Sequence, residues 1–282
     1  MLRSMYAGIS GMKGFQTKLD VIGNNIANVN TFGFKKGRVV FKDMINQQVA
    51  GATAPSTTRG GVNSRQVGLG SQLASIDTIH TIGATQTTNR TLDLAIAGDG
   101  FFVVGEPLPS TSQQFTRSGN FYLDKAGDIV NADGLYLLSA LGDKIKISPT
   151  ASSFSIGSNG EVIEVIGSAP PVVKGQIGLA KFENPEGLEK AGSNLFKQTT
   201  NSGTAFAFLT ALPAPIPPVA GQAVLPGSAG SGTIVAGALE MSNVDLSEEF
   251  TEMIVAQRGF QSNTKIITTS DEILQELMGL KR

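Results

Sequence analysis

A seven-residue repeat of apolar side chains runs through the last stretch of the chain, Leu239 to Arg282. From Leu246 it returns at Met253, Phe260, Ile267 and Leu274; a second column, Phe250, Gln257, Thr264, Asp271 and Met278, flanks it, mixed apolar and polar. Asp245, with Glu248 three residues on, offers a capping-box start, and Glu249 and Glu252 add acid where the helix dipole favours it. Lys281 and Arg282 close the segment with the charge its other end favours. No proline interrupts it. At roughly 1.5 Å per residue such a helix is about 50 Å long. A strict heptad over that length asks for a partner helix.

The partner stands at the other end of the chain. Met5, Met12, Leu19 and Ile26 again fall seven apart, and Gly8, Phe15 and Ile22 fill a second column. This predicts a paired, coiled-coil-like helical domain, residues 1–33 and 240–282, flanking whatever lies between. On spacing alone, two ordinary amphipathic helices on one core are the alternative. Glycine tilts the balance. Gly8, Gly11, Gly14 and Gly23 sit within the first pattern, each costing about 1 kcal/mol relative to alanine. Such a helix is marginal alone and forms when packed closely, so folding on assembly is the expectation. Gln257, Thr264 and Asp271 either set register, as buried polar residues do in coiled coils, or form a solvent-facing column.

The 282 residues allow one large or two modest domains. A net charge of −1 gives no reason to expect a nucleic-acid partner. Charged residues make up 16%, below the usual quarter; Gly, Ser, Thr, Asn and Gln take up the difference, as in polar, β-rich assemblies. The absence of cysteine excludes a disulfide framework and thiol chemistry. The opening M-L-R-S-M-Y-A-G lacks an apolar h-region, and no span reaches eighteen apolar residues. Neither a cleaved signal peptide nor membrane insertion is therefore expected.

In chain order, the first helix runs from about Arg3 into the asparagine-rich stretch Asn24 to Asn30, and Gly33 breaks the chain. Phe34 to Met44 reads as a strand or a short extended arm. Gln47 to Ser75 is poor in apolar anchors, so 34–75 is expected to be an extended linker, or a stay lying on neighbouring subunits. Residues 76–239 read as a β-rich domain. Thr91 to Val104 carries two strand-like runs split at Gly98-Asp99-Gly100; Asp124–Gly127 and Asp133-Gly134 mark turns, and Asn159-Gly160 a hairpin. Within 203–232 a Pro/Ala-rich run predicts an exposed low-complexity loop. The fold class is α+β.

Candidate chemistry is poor. Asp124, Asp128, Asn131 and Asp133 lack the spacing of a calcium loop and read as turn residues. Gly98-Asp99-Gly100 lacks the third glycine of a dinucleotide loop. His80 is the sole histidine, with no nucleophile elbow nearby. An Arg117–Asp93 pair would be structural. The expectation is a non-enzyme with no cofactor, metal site or small-molecule substrate.

Four motifs, in order, carry a resemblance. GNNIANVNTFGFK (Gly23 to Lys35) resembles the N-terminal signature of the bacterial flagellar rod and hook protein family. LDLAIAGDGFFVV and FTRSGNFYLDKAG resemble its central β-motifs, and VAQRGFQSNTKII (Val255 to Ile267) its C-terminal motif. The residues carrying the terminal signatures are Asn24, Asn25, Asn28, Thr31, Gly33 and Phe34, then Gln257, Arg258 and Gln261. Within the family, Gly60 to Gly70 and Leu239 to Phe250 look most like a short hook subunit. The distal rod protein, similar in length and sharing most of these motifs, is the rival.

The resemblance implies a structural subunit that polymerises into a tube: a flexible hook passing motor torque to the filament or, alternatively, the distal rod. The terminal helices would form an inner layer around a channel, and the β domain an outer shell. Implied partners are copies of itself, other flagellar axial proteins (rod, hook cap, hook–filament junction) and the flagellar export apparatus. The implied location is the basal body and hook, reached without a cleaved signal. In a bending hook, outer contacts would slide while the glycine-rich inner helices hold. A secreted β-rich binding module or adhesin, oligomerised by its helices, is the alternative of a different class; an enzyme is a remote third.

Overall fold

The computed structural model describes residues 2–55, 58–107, 113–167, 169–203, 225–228 and 230–280. Most of the Pro/Ala-rich loop and the closing Lys281 and Arg282 lie outside the described residues. The protein is α+β, with a helix at each end and strands between. It divides into two compact units, one of Met1–Ala27, Gly37–Thr78 and Asp245–Arg282, the other of Asn28–Lys36 and Ile79–Val244. Residues 37–78, read as a linker or stay, group with the helices, and 28–36 with the β unit.

In the helical unit, α1 (Leu2–Ala27) and α2 (Leu246–Gly279) run antiparallel, Gly8 facing Asn263 and Ile267 while Asn25 meets Glu249. Asp245 caps α2, its carboxylate accepting from the Ser247 and Glu248 amides. Between the helices in sequence come β1 (Gly37–Asp43), β2 (Asn46–Ala50), β3 (Arg65–Gly68) and β4 (Ser71–Thr78). β1 pairs antiparallel with β4, with a bulge between Val40 and Phe41, and β2 with β3. The β1–β4 ladder packs on α1 beside the helix seam, so that Phe15 meets Phe41 as well as Gly259, and Asn25 meets Gly37 as well as Glu249. Gly14 sits against the Phe41 ring, Gly70 against Ser10 and Ala7, and Val21 against Gly37. The weak alternation of Phe34–Met44 thus resolves as a strand. β2 and β3 are exposed throughout, Val49 and Val67 included, as are the neighbouring Ile45 and Val62.

The β unit is built on short antiparallel strands: β5 (Thr85–Thr87), β6 (Leu94–Ala97), β7 (Phe101–Gly105), β8 (Gln114–Thr116), β9 (Tyr122–Leu123), β10 (Ile129–Val130), β11 (Tyr136–Leu137), β12 (Ser153–Ile156), β13 (Glu161–Val165), β14 (Val172–Gln176), β15 (Leu179–Ala180), β16 (Glu189–Gly192), β17 (Leu195–Lys197), β18 (Thr233–Ala236) and β19 (Ala238–Glu240). The main sheet runs β16-β17-β8-β7-β11-β10-β9, with β15 also on β7. β12–β14 form a meander, β18 pairs with β6, and β19 with β5. β7 is buried throughout and splits the core by its alternation: Phe102 and Val104 face one apolar cluster, Phe101 and Val103 the other.

Turn chemistry behaves as its residues predict. Asn131 Oδ1 accepts from the Asp133 and Leu135 amides, and Gly127, Gly134 and Gly160 take positive φ. Asn159-Gly160 ends a loop joining β12 to β13. The Arg117–Asp93 pair does not form: Asp93 pairs with Arg90, and Arg117 with Glu240.

Candidate assembly interface

The helix seam uses one expected column on each helix and replaces the other. On α1, Gly8, Phe15 and Ile22 belong to it, but their heptad companions are Gly11, Lys18 and Asn25. Met5, Met12, Leu19 and Ile26 are half-buried on its flank. On α2, Met253, Phe260, Ile267 and Leu274 are half-buried as the apolar column requires, while Leu246 and Phe250 are exposed. The second column is Glu249, Ala256, Asn263 and Ser270; Phe250, Gln257, Thr264, Asp271 and Met278 face outward.

Small and polar layers fix the register. A Cβ on Gly11 would stand 2.8 Å from Asn263 Nδ2, and one on Gly259 2.6 Å from Phe15 Cζ, so bare backbone on one helix receives a side chain from the other. Lys18 Nζ donates to Glu252 at 2.5 Å. Asn25 Nδ2 donates to Glu249 Oε2 at 3.2 Å and to Gly37 O at 2.9 Å, and Asn25 Oδ1 accepts the Gly37 amide at 3.0 Å. Lys18, Asn25, Glu249 and Glu252 make the polar contacts across the seam, while Gln257 and Asp271 are exposed; Thr264 Oγ1 donates to the Phe260 carbonyl at 3.0 Å and lies 3.3 Å from the Met12 sulfur. A seven-residue spacing of small or polar residues, 11/18/25 and 249/256/263/270, was the available signal, and a search for large apolar repeats passes over it.

The remaining signature residues organise the two ends of the β unit. Thr31 Oγ1 donates to Asn28 Oδ1. Gly33 has φ +69, and a Cβ there would stand 2.6 Å from the Arg117 carbonyl carbon; only glycine fits both demands. Its amide donates to Glu240 O at 2.8 Å, and Phe34, buried, lies under the Lys190 ammonium. Lys35 and Glu240 are 0% and 1% exposed and paired at 2.6 Å; Glu240 also accepts from Arg117 at 3.1 Å and from the Gly83 amide. Asn243 then joins the Lys36 amide to Ile79 and Thr81. This latch was missed because Lys35, Arg117 and Glu240 are lone charges far apart in sequence. Burial pulls the Lys35 ammonium below its ordinary pKa against the pull of Glu240. His80, edge-on to Phe101 and tilted against Phe196, is lowered to about 4 by burial and by Lys35, Arg117 and Lys190.

Gln257, Arg258 and Gln261 lie on the exposed side of α2, while Asn25 is buried and Asn24 exposed on α1. Among the described residues no group of His, Asp or Glu is arranged to hold a metal ion, and no helix is long and apolar enough to cross a membrane.

Three family descriptions match in chain order: "Flagella basal body rod protein" at residues 5–35, "Flagellar hook protein FlgE/F/G D1 domain" at 95–164, and "Flagellar basal body rod FlgEFG protein C-terminal" at 235–280. The flagellar basal-body rod protein FlgG of Bacillus subtilis (strain 168) is 58% identical over 282 residues, covering all of both chains. FlgG of Borreliella burgdorferi is 39% identical over 287 residues, again all of both. The flagellar hook protein FlgE of the same organism is 29% identical over an alignment of 460. These similarities favour the rod over the hook suggested by residues 60–70 and 239–250. The chain belongs to the FlgE/F/G family of flagellar rod and hook proteins.

Proposed function

We propose that this protein is the distal-rod subunit of the flagellar basal body, polymerising through its helical unit into the drive shaft. The observation that carries the reading is the 58% identity to a rod protein over the full 282 residues, against an alignment of 460 positions for a hook protein. The helical unit supports it physically. The apolar residues of α2 that α1 leaves bare, among them Leu246, Phe250, Ile254, Ile273 and Leu277, are the kind of surface that other subunits cover. The exposed, largely polar β2–β3 pair, with Val49 and Val67 bare among its glutamines, offers a second such surface, in keeping with a stay on neighbouring subunits. Heterologous contacts of this kind build an open helical polymer rather than a closed ring. Copies of itself and adjoining axial proteins are the partners, and the envelope-spanning basal body the location.

Complementation tests the reading. Expressed in B. subtilis lacking its own FlgG, the protein restores rods and swimming; expressed in a strain lacking the hook protein, it does not. Rescue of the hook strain alone would overturn the assignment.

A further inference from the structure

His80 stands among positive charges. The Phe101 and Phe196 rings flank it, each centred 5.6 Å away. The Arg117 guanidinium lies 5.4 Å from the centre of the same Phe101 ring, and Lys190 stands opposite Phe196 in the β16–β17 ladder. Lys35 Nζ donates to the carbonyl of Thr81, the residue after His80, at 2.6 Å. Glu240 is shared between Lys35 and Arg117. Among the described residues Lys190 has no carboxylate partner; its ammonium donates to the Lys35 carbonyl at 3.2 Å and lies 5.1 Å from the centre of the Phe34 ring. Three cations thus share one carboxylate, in a group where Lys35 and Arg117 are buried. Charge of one sign held out of water is costly unless paired. The hydrogen bonds show the same shortfall. Arg117 Nε and both ring nitrogens of His80 are buried and make no hydrogen bond of good geometry, although the Pro185 carbonyl lies beside the imidazole. Buried polar atoms are normally paired, by water or an ion if not by protein. Lys190 is exposed and His80 half-buried, so a small ion can reach this end of the group.

We propose that Lys190 and His80 form a binding site for a small oxyanion of the carboxylate or phosphate class, with Lys35 and Arg117 supplying the field behind it. The Lys190 ammonium keeps N–H donors beyond the one given to the Lys35 carbonyl, and a protonated imidazole donates from both nitrogens. An oxyanion has acceptor oxygens enough for both partners, and hydrogen bonds between ionised groups are the strong ones. Bound there, it favours the imidazolium that the three cations otherwise oppose, so anion and proton are taken up together. The site also lies where the β16–β17 pair clasps the incoming chain, Lys190 through the Lys35 carbonyl and Asn194 through that of Phe32. An anion on Lys190 therefore firms that clasp as it offsets the excess charge.

His80 is the only histidine, so in the full-length chain a single imidazole resonance reports on the site. It is titrated with pH in sodium chloride and in sodium phosphate at equal ionic strength, inorganic phosphate being the probe. In chloride the midpoint is expected near the value of about 4 that the fold sets. Saturating phosphate is expected to raise it by about one pH unit, a tenfold gain in proton affinity. Lys190→Gln is expected to lose that gain and Lys190→Arg, which keeps the charge, to retain it. A second readout needs no variant: the backbone amides of residues 79–81 and 189–191 should shift with phosphate along the same saturable curve as the imidazole. An equal midpoint in the two salts overturns the proposal. So does a gain that survives Lys190→Gln, or a set of phosphate-dependent amide shifts that leaves those two stretches unmoved.

Discussion

Phe15 of α1 lies over Gly259 of α2 so closely that a Cβ on the glycine would stand within 3 Å of three atoms of the ring. The layer is filled by one large side chain meeting bare backbone, and the neighbouring layers repeat the device, Gly8 against Ile267 and Gly11 against Asn263. Glycine, costly in each helix alone, is what allows the helices to approach; the sequence penalty and the packing gain are two sides of one choice.

Gly259→Ala must therefore push the Phe15 ring aside, at a cost of about 1–3 kcal/mol from overpacking. Urea unfolding of the assembled protein, followed by helical circular dichroism, should show a lowered midpoint. Adding Phe15→Leu to the alanine variant should recover part of the loss. An unchanged midpoint in the single variant would show that the layer is not tightly packed.

The glycines also predict that α1 is weak without neighbours. Helical content should be low in dilute monomer and rise on polymerisation. Substituting alanine at Gly23, where an added Cβ meets nothing within 4 Å, should raise monomer helicity by about 1 kcal/mol of helix stability. Full helicity in the dilute monomer would contradict folding on assembly.

Glu240→Gln strips the buried carboxylate from Lys35 and Arg117 and leaves two buried cations uncompensated. The expected loss in the β unit is about 3–5 kcal/mol, read from its unfolding by circular dichroism. Reversing the half-exposed pair Lys18–Glu252 should cost less than about 1 kcal/mol, and the double reversal should restore it.

His80 gives a pH dependence of definite sign. Its folded pKa of about 4 lies below the ordinary 6.5, so the unfolded chain takes up the proton first. The stability it contributes is complete above about pH 6.5 and is lost as pH falls through that window to 4, by up to about 3 kcal/mol. Glu164, lowered chiefly by its hydrogen bond from Lys174, adds a loss in the same direction as pH falls through and below the ordinary carboxylate range. His80→Phe, filling the same slot between Phe101 and Phe196, should flatten the upper part of the curve. An identical curve in that variant would show that His80 is not the titrating group.

Much of the architecture was legible because it is written in periodicity and turn chemistry. The heptad columns at Met253, Phe260, Ile267 and Leu274 and at Gly8, Phe15 and Ile22 located the helices, and Asp245 located the start of α2. The other halves of the seam were hidden because Glu249, Asn263, Lys18 and Asn25 are polar, and their partners lie more than two hundred residues away. The latch was hidden for the same reason: Lys35 and Glu240 are ordinary surface residues until the fold brings them together. The hook-like look of residues 60–70 and 239–250 rested on two short stretches, whereas the identity to rod proteins runs over the whole chain.

The most direct measurement is immunogold electron microscopy of isolated basal bodies and of intact flagellated cells. The account predicts label confined to the straight, envelope-embedded rod, with none on the curved segment outside the cell. Label on that curved segment would make the protein a hook subunit and contradict the account.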